Sequence, residues 1–173
     1  MISHKLFGTQ DFFAAPVTDN IFITTDGVGS KIELESWDTI GIDCVAMNVN
    51  DIICVGARPT GFVNYLKLPR KTTLEFDENV VPQIARGLLA GCNLAGVPLV
   101  GGETAIHGNE VDVSGTATGE LIHHRPIYGQ DIEADDIIIG IESSGIHSNG
   151  FTELRNNNIV IPKYFSKPTY IYN

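Results

Sequence analysis

The sequence predicts one domain in which α and β structure are mixed, and three observations predict it. Short β-branched or alternating runs recur along the chain, two longer stretches place apolar residues at helical spacing, and several strand-like runs end in polar, glycine-flanked turns. A chain of 173 residues, 43% apolar and 18% charged, is long enough to bury one core, and its 18 glycines indicate many tight loops.

Residues 1–19 read as a leader with no sustained period. Phe12 and Phe13 are expected to pack on the core, with contact to a nucleotide base as the alternative. The first strand covers about Asn20 to Thr25 and opens into Asp26-Gly27-Val28-Gly29-Ser30-Lys31. Gly27 and Gly29 let backbone N–H groups come close to an anion. Asp26 is the acceptor-only group that a hard cation such as Mg²⁺ prefers, and Lys31 offers a cation to the same loop. A plain surface turn is the competing reading, because Asp-Gly is a common turn pair. Ile32 to Ser36 alternates as a half-buried strand does.

After Asp38 to Asp43, the run Cys44 to Gly56 carries Val45, Val49, Ile52 and Ile53 at helical spacing and predicts a core-facing helix. Asn48, Asn50 and Asp51 interrupt it. Asp43 and Asp51, about two turns apart, can share a face as metal ligands; the competing reading puts Asn50 and Asp51 on the solvent side of the helix. Ala57 to Gly61 reads as a breaker, Phe62 to Leu68 as a second main strand, and 72–79 as a charged connection. From Asn79 to Ala95 apolar residues recur at helical spacing, and Gly96 is the stop. Pro98 to Val100 reads as a short strand running into Gly101-Gly102-Glu103-Thr104, a second carboxylate at a glycine-flanked exit. Two such exits can meet over one ligand if their strands are close; otherwise Glu103 simply accepts bonds from its own loop.

His107 to Glu110 make a polar loop, and Val111 to Leu121 a strand of small residues suited to close backbone packing or an interface. His123 and His124 are adjacent and would face opposite sides of a strand, which argues against a two-His metal site. Beyond an acidic turn region at 127–136, Ile137 to Ile141 is the most β-branched run and predicts a central strand buried on both faces. It delivers Ser143 to Gly150, where His147 can meet phosphate or shuttle a proton, and where Ser148 and Asn149 either join it or cap the next helix. No G-x-S-x-G elbow supports a serine triad. Residues 156–173 read as the start of a linker towards a further domain.

The formal charge of -10 argues against a nucleic-acid surface. Cys44, Cys54 and Cys92 lie in apolar runs without CxxC spacing, which suggests reduced core thiols and a reducing, cytoplasmic location. No apolar run approaches the roughly 20 residues that span a bilayer, and no secretory signal pattern is visible, so neither membrane nor export is expected.

Taken together, five stretches resemble the N-terminal domain of the phosphoribosylformylglycinamidine cyclo-ligase family, the PurM-like aminoimidazole ribonucleotide synthetases. They are Thr25 to Lys31, Asp38 to Asp43 with Val45-Ala46-Met47, Val49 to Ile52, Val100 to Ala105, and Ser143 to Gly150. Ser30 stands where the family pattern has Thr, which keeps the hydroxyl. The resemblance implies an α+β, PurM-like domain over residues 20–155: a mixed sheet with helices on one face, pairing with the sheet of a second subunit into a barrel-like homodimer core. It implies ATP and Mg²⁺ as cofactors and ring closure of formylglycinamidine ribonucleotide as the reaction. By the same resemblance Asp26, Asp43, Asp51 and Glu103 handle the metal. Gly27, Gly29, Lys31, Asn50, Gly101, Gly102, Ser148 and Asn149 join those carboxylates around the nucleotide, with Lys31 and His147 in catalytic roles. A small-molecule kinase of the same superfamily and a non-catalytic nucleotide-binding or dimerisation module are the alternatives.

Overall fold

The computed structural model describes residues 13–34, 36–70 and 79–157. In chain order these form β1 (Ala15–Pro16), β2 (Ile21–Gly27), a 3₁₀ turn (Gly29–Leu34), α1 (Trp37–Cys54), β3 (Ala57–Leu68), α2 (Val80–Ala95), β4 (Leu99–Ile106), β5 (Asp112–Leu121) and α3 (Phe151–Asn156). The strands make one mixed sheet in the order β1-β2-β5-β3-β4. β3 and β4 are parallel and are connected through α2, while the other neighbours are antiparallel. α1 lies across β2, β3 and β5 and packs along α2. The α+β expectation, a mixed sheet with helices on one face, is what the chain forms.

Small residues explain how α1 comes so close. β5 alternates, burying Val113, Gly115, Ala117 and Gly119 while Ser114, Thr116 and Thr118 face the other way. A Cβ on Gly119 would strike Ile52, and one on Gly115 would strike the Phe62 ring and crowd the Asn48 amide. The two helices meet in the same fashion. A side chain on Gly41 would run into the α2 backbone at Ile84 to Leu88, and one on Gly87 into the Asp38 carbonyl. Between helices and sheet sit Phe22, Ile40, Val45, Val49, Ile52, Phe62, Ile84 and Val113, each at most 1% exposed. Burying side chains of this size contributes roughly 1.5–3 kcal/mol apiece.

Several expectations are corrected. α1 begins at Trp37, two turns before the predicted Cys44, because tertiary contact rewards Gly41 for having no side chain although its helix propensity is poor. Ser36 accepts bonds from the Ile40 N–H and the Thr39 hydroxyl at the helix start. Ile32 to Leu34 belong to the 3₁₀ turn and not to a strand. The predicted breaker Ala57 to Gly61 is the first part of β3, where a register shift between Pro59 and Gly61 accommodates the proline. Gly101 to Thr104 lie inside β4 and not in an exit loop, since pairing with β3 continues to Ile106. The run Ile137 to Ile141 forms no strand among the described residues: Ile137, Ile138 and Ile139 are 90%, 95% and 83% exposed, with no neighbouring strand to pair them. Phe13 is exposed rather than packed on the core, and Phe12 falls outside the described residues. Of the cysteines, Cys44 and Cys92 are buried and Cys54 is exposed; all three are free thiols. As expected, α2 ends at Gly96, whose φ of 65° is the left-handed conformation that favours glycine there.

Candidate functional site

β2 ends over the α1 helix, and its last residues build the first corner of the site. Its inward positions are Phe22, Thr24 and then Asp26, so the Asp26 carboxylate projects from the helix-covered face. Asn48 of α1 fixes the backbone there. Its side-chain oxygen accepts the Asp26 N–H at 2.9 Å, and its NH₂ donates to the carbonyls of Asp26 at 3.2 Å and Cys44 at 2.9 Å. A primary amide carries the same donor and acceptor as a peptide group, so Asn48 takes the place of a neighbouring strand at this one residue. The Gly27 N–H donates to Asp26 Oδ1 at 2.7 Å.

One turn beyond Asn48 on the helix, Asp51 faces the same place. Its Oδ2 accepts the Thr24 hydroxyl at 3.4 Å, and Thr24 also reaches the Phe13 carbonyl at 3.1 Å. Burial raises the proton affinity of Asp26, opposed by the Gly27 N–H. Burial and then the Asp26 charge push the Asp51 carboxyl up to about 6, against the Thr24 hydroxyl bond. Two half-buried carboxylates of like charge at one corner are a donor set that a divalent cation would relieve. Beside them Gly29 has φ 57°, and the space where its Cβ would stand is open, with nothing within 4 Å.

The second corner joins distant parts of the chain. Lys31 is fully buried, donating to Asp43 Oδ1 at 3.0 Å and to the Ile146 carbonyl, 115 residues away, at 2.8 Å. Alongside, Ser30 Oγ lies 3.2 Å from Thr152 Oγ1, and Phe151, 4% exposed, anchors the start of α3. The loop 143–150 is thereby docked next to the glycine loop 26–31. In it Ser143 Oγ is 3.0 Å from His147 Nε2. Ser148 is half-buried, Asn149 is exposed, and the Ser148 carbonyl accepts the Phe151 N–H at the start of α3.

The structure therefore brings Asp26 to Asp51, and Gly27 and Gly29 to the loop of His147, Ser148 and Asn149. It does not bring Glu103 to them. Asp26 aligns across the sheet with Gly115, Asn64 and Gly102, three strand steps or about 14 Å apart. Glu103 is in register with the outward-facing Tyr65, on the opposite side of the sheet from Asp26, and its Oε1 accepts the Thr104 N–H at 2.8 Å. Asp43, expected to share a face with Asp51, is instead taken up by Lys31. Asn50 is half-buried on α1. Among the described residues no cluster of three or more His, Cys, Asp or Glu side chains could hold a metal within one chain. Sequence reasoning missed the part of Thr24 and did not assign Asn48; the signal for the latter was an amide in the middle of an apolar helix. No described helix is long and apolar enough to cross a membrane.

The sequence matches the family described as AIR synthase related protein, N-terminal domain, over residues 12–121. The phosphoribosylformylglycinamidine cyclo-ligase of Pyrococcus horikoshii is 48% identical over 166 residues, 92% of this chain and 46% of the relative. That of Thermococcus gammatolerans is 47% identical over 149 residues, 82% of this chain and 42% of the relative. The chain thus spans about half the length of these curated relatives. Among solved structures, thiamine monophosphate kinase from Aquifex aeolicus superposes with a TM-score of 0.60 at 19% identity, covering 73% of this chain and 42% of that one. The HypE–HypF complex gives 0.59 at 20%, covering 72% and 42%. At these identities the likeness is one of fold.

Proposed function

The chain belongs to the family of AIR synthase related proteins, N-terminal domain, and from that premise we propose that it supplies the nucleotide-binding half of an ATP-dependent phosphoribosylformylglycinamidine cyclo-ligase. The observation that carries this reading is the meeting of two glycine-flanked loops, 26–31 and 143–150, beside the half-buried pair Asp26 and Asp51.

In the reaction, ATP phosphorylates the formyl oxygen of formylglycinamidine ribonucleotide. That step releases ADP, and intramolecular attack of an amidine nitrogen on the activated formyl carbon then closes the ring and expels phosphate, giving aminoimidazole ribonucleotide. Bound Mg²⁺ supplies charge neutralisation on the triphosphate. The residues that would hold it are Asp26 and Asp51, whose mutual repulsion such a cation removes. The open side of Gly29 gives an anion access to backbone N–H groups, and the amide of Asn48 keeps the Asp26 backbone fixed while ligands exchange. His147, with Asn149 and Ser148, presents the polar wall of the adjoining loop to the ribonucleotide. Glu103, Gly101 and Gly102 lie on the edge strand far from this corner. Their role at a nucleotide requires a second copy of the chain, docked through the uncovered sheet face. A cytoplasmic homodimer is the setting proposed: free thiols suit a reducing compartment, and the uncovered sheet face offers the surface for a second copy.

Assayed within the full-length enzyme with ATP, Mg²⁺ and formylglycinamidine ribonucleotide, this half is expected to support formation of aminoimidazole ribonucleotide, ADP and free phosphate in equal amounts. The γ-phosphate of ATP retained on an organic product would reassign it to the kinases. ATP binding with no product formed would leave a binding module.

A further inference from the structure

We propose that Lys31, braced by Asp43, is a positioning residue that clamps the 143–150 loop onto the glycine loop, instead of a cation offered to phosphate. Both partners of the pair have fully buried side chains, and the ammonium spends donors on Asp43 Oδ1 at 3.0 Å and the Ile146 carbonyl at 2.8 Å. Each contact comes from a different element. Lys31 sits in the 3₁₀ turn directly after the glycine loop, Asp43 in the second turn of α1, and Ile146 in the loop itself. Asp43 holds the ammonium in place, and the ammonium holds the loop.

The clamped carbonyl belongs to the residue before His147, so this single bond sets where His147 stands relative to Gly29. Ser143 Oγ, 3.0 Å from His147 Nε2, then fixes the ring from the other side. Ser30 with Thr152 and the buried Phe151 hold the far end of the same segment. A lysine in a glycine loop reads from sequence as a phosphate ligand. Here, two fully buried partners and a bond to a carbonyl remote in sequence give it a different task. A buried charge without its partner is costly, so the pair resists being opened to lend the ammonium to a ligand.

The inference rests on the functional reading only for the identity of the ligand; the clamp is measurable with none present. Amide hydrogen exchange is compared between the parent protein and a variant carrying Lys31→Met together with Asp43→Leu, which removes both buried charges at once and so spares the fold an orphaned ion. Exchange across residues 144–151 is expected to accelerate at least about tenfold while β3 and β5 keep the parent rates, since opening is local. Loop exchange equal to the parent's in the folded variant would overturn the clamp. A second measurement needs no variant. The ¹⁵Nζ resonance of Lys31 in the parent is followed during titration with Mg-ATP, and it is expected to hold its position while signals of Asp26 and Gly29 move. A shift of Lys31 with those signals would make it a phosphate ligand and end the proposal. If the titration moves no signal anywhere, the nucleotide reading fails, and the exchange result still decides the clamp.

Discussion

Asp51 holds its proton far more tightly than an exposed aspartate, and this makes the stability of the ligand-free protein depend on pH in an unusual direction. Its folded pKa of about 6 lies above the ordinary aspartate value of 3.8, so between those values the folded chain binds the proton that the unfolded chain has released. This contribution favours the fold at pH 4–5 and is lost as pH rises through 6. Asp51→Asn is therefore expected to raise the melting temperature at pH 7.5 by roughly 2–4 °C, the shift that about 1 kcal/mol produces in a domain of this size, and to change it little at pH 4.5. Thermal melts at the two pH values check this; equal shifts at both would show that Asp51 is not the titrating group. Asp26→Asn leaves the core volume untouched and removes one ligand charge. It should weaken Mg-ATP binding at least about tenfold in calorimetric titration with the fold intact. Glu103→Gln, on the opposite face and three strands away, is expected to produce a comparable loss where a second copy completes the site. Unchanged affinity in Glu103→Gln would confine the nucleotide to the Asp26 corner.

At the level of elements, a close fit decides the crossing of α1 and α2 at Gly41, Gly87 and Gly91. Gly87→Ala forces a methyl group against the Asp38 carbonyl and the Gly41 backbone, so the helices must separate. The expected loss is about 1–3 kcal/mol, read from urea denaturation, whereas alanine at the exposed Asn93 should cost little. This crossing also explains what the sequence could and could not reveal. Periodicity located α2 to within a residue, because its pattern follows directly from burial on one side, and the run of small residues located β5, because close approach of a helix to the sheet demands them there. The first two turns of α1 were hidden, since a glycine kept for close approach looks locally like a helix breaker. The β4 extension was hidden for a related reason: Gly101-Gly102 has the composition of a turn, yet its backbone is held in the sheet by pairing with β3. A Cβ on Gly102 would collide with Asn64, so only the folded partner shows why glycine is there. The two loops of the site were visible as glycine-flanked polar stretches. Their meeting was not, because it depends on one lysine whose burial no local pattern announces.

Over the whole molecule, the helices cover one side of the sheet and leave the other side to solvent. Val63, Tyr65 and Val100 are 37%, 40% and 66% exposed there, beside Thr25, Thr116 and Thr118, with Thr116 and Thr25 hydrogen-bonded to each other at 3.1 Å. Pairing of this side with a second copy is the assembly expected of the family, and light scattering after size exclusion should give twice the chain mass. Val63→Glu together with Thr116→Arg should reduce it to the monomer, and a parent protein already monomeric at micromolar concentration would remove the assembly and the shared role of Glu103 with it. The bond between Lys31 and Ile146 has one more consequence, in the order of synthesis. A ribosome adds residues from the N-terminus, so the nascent chain exposes its glycine loop more than a hundred residues before the carbonyl that must meet Lys31 has been made. Until then the sheet and both long helices can assemble, but the finished ligand corner cannot. A polypeptide stalled ahead of Ile146 should accordingly be folded in its core yet lack the wall that faces the ribonucleotide.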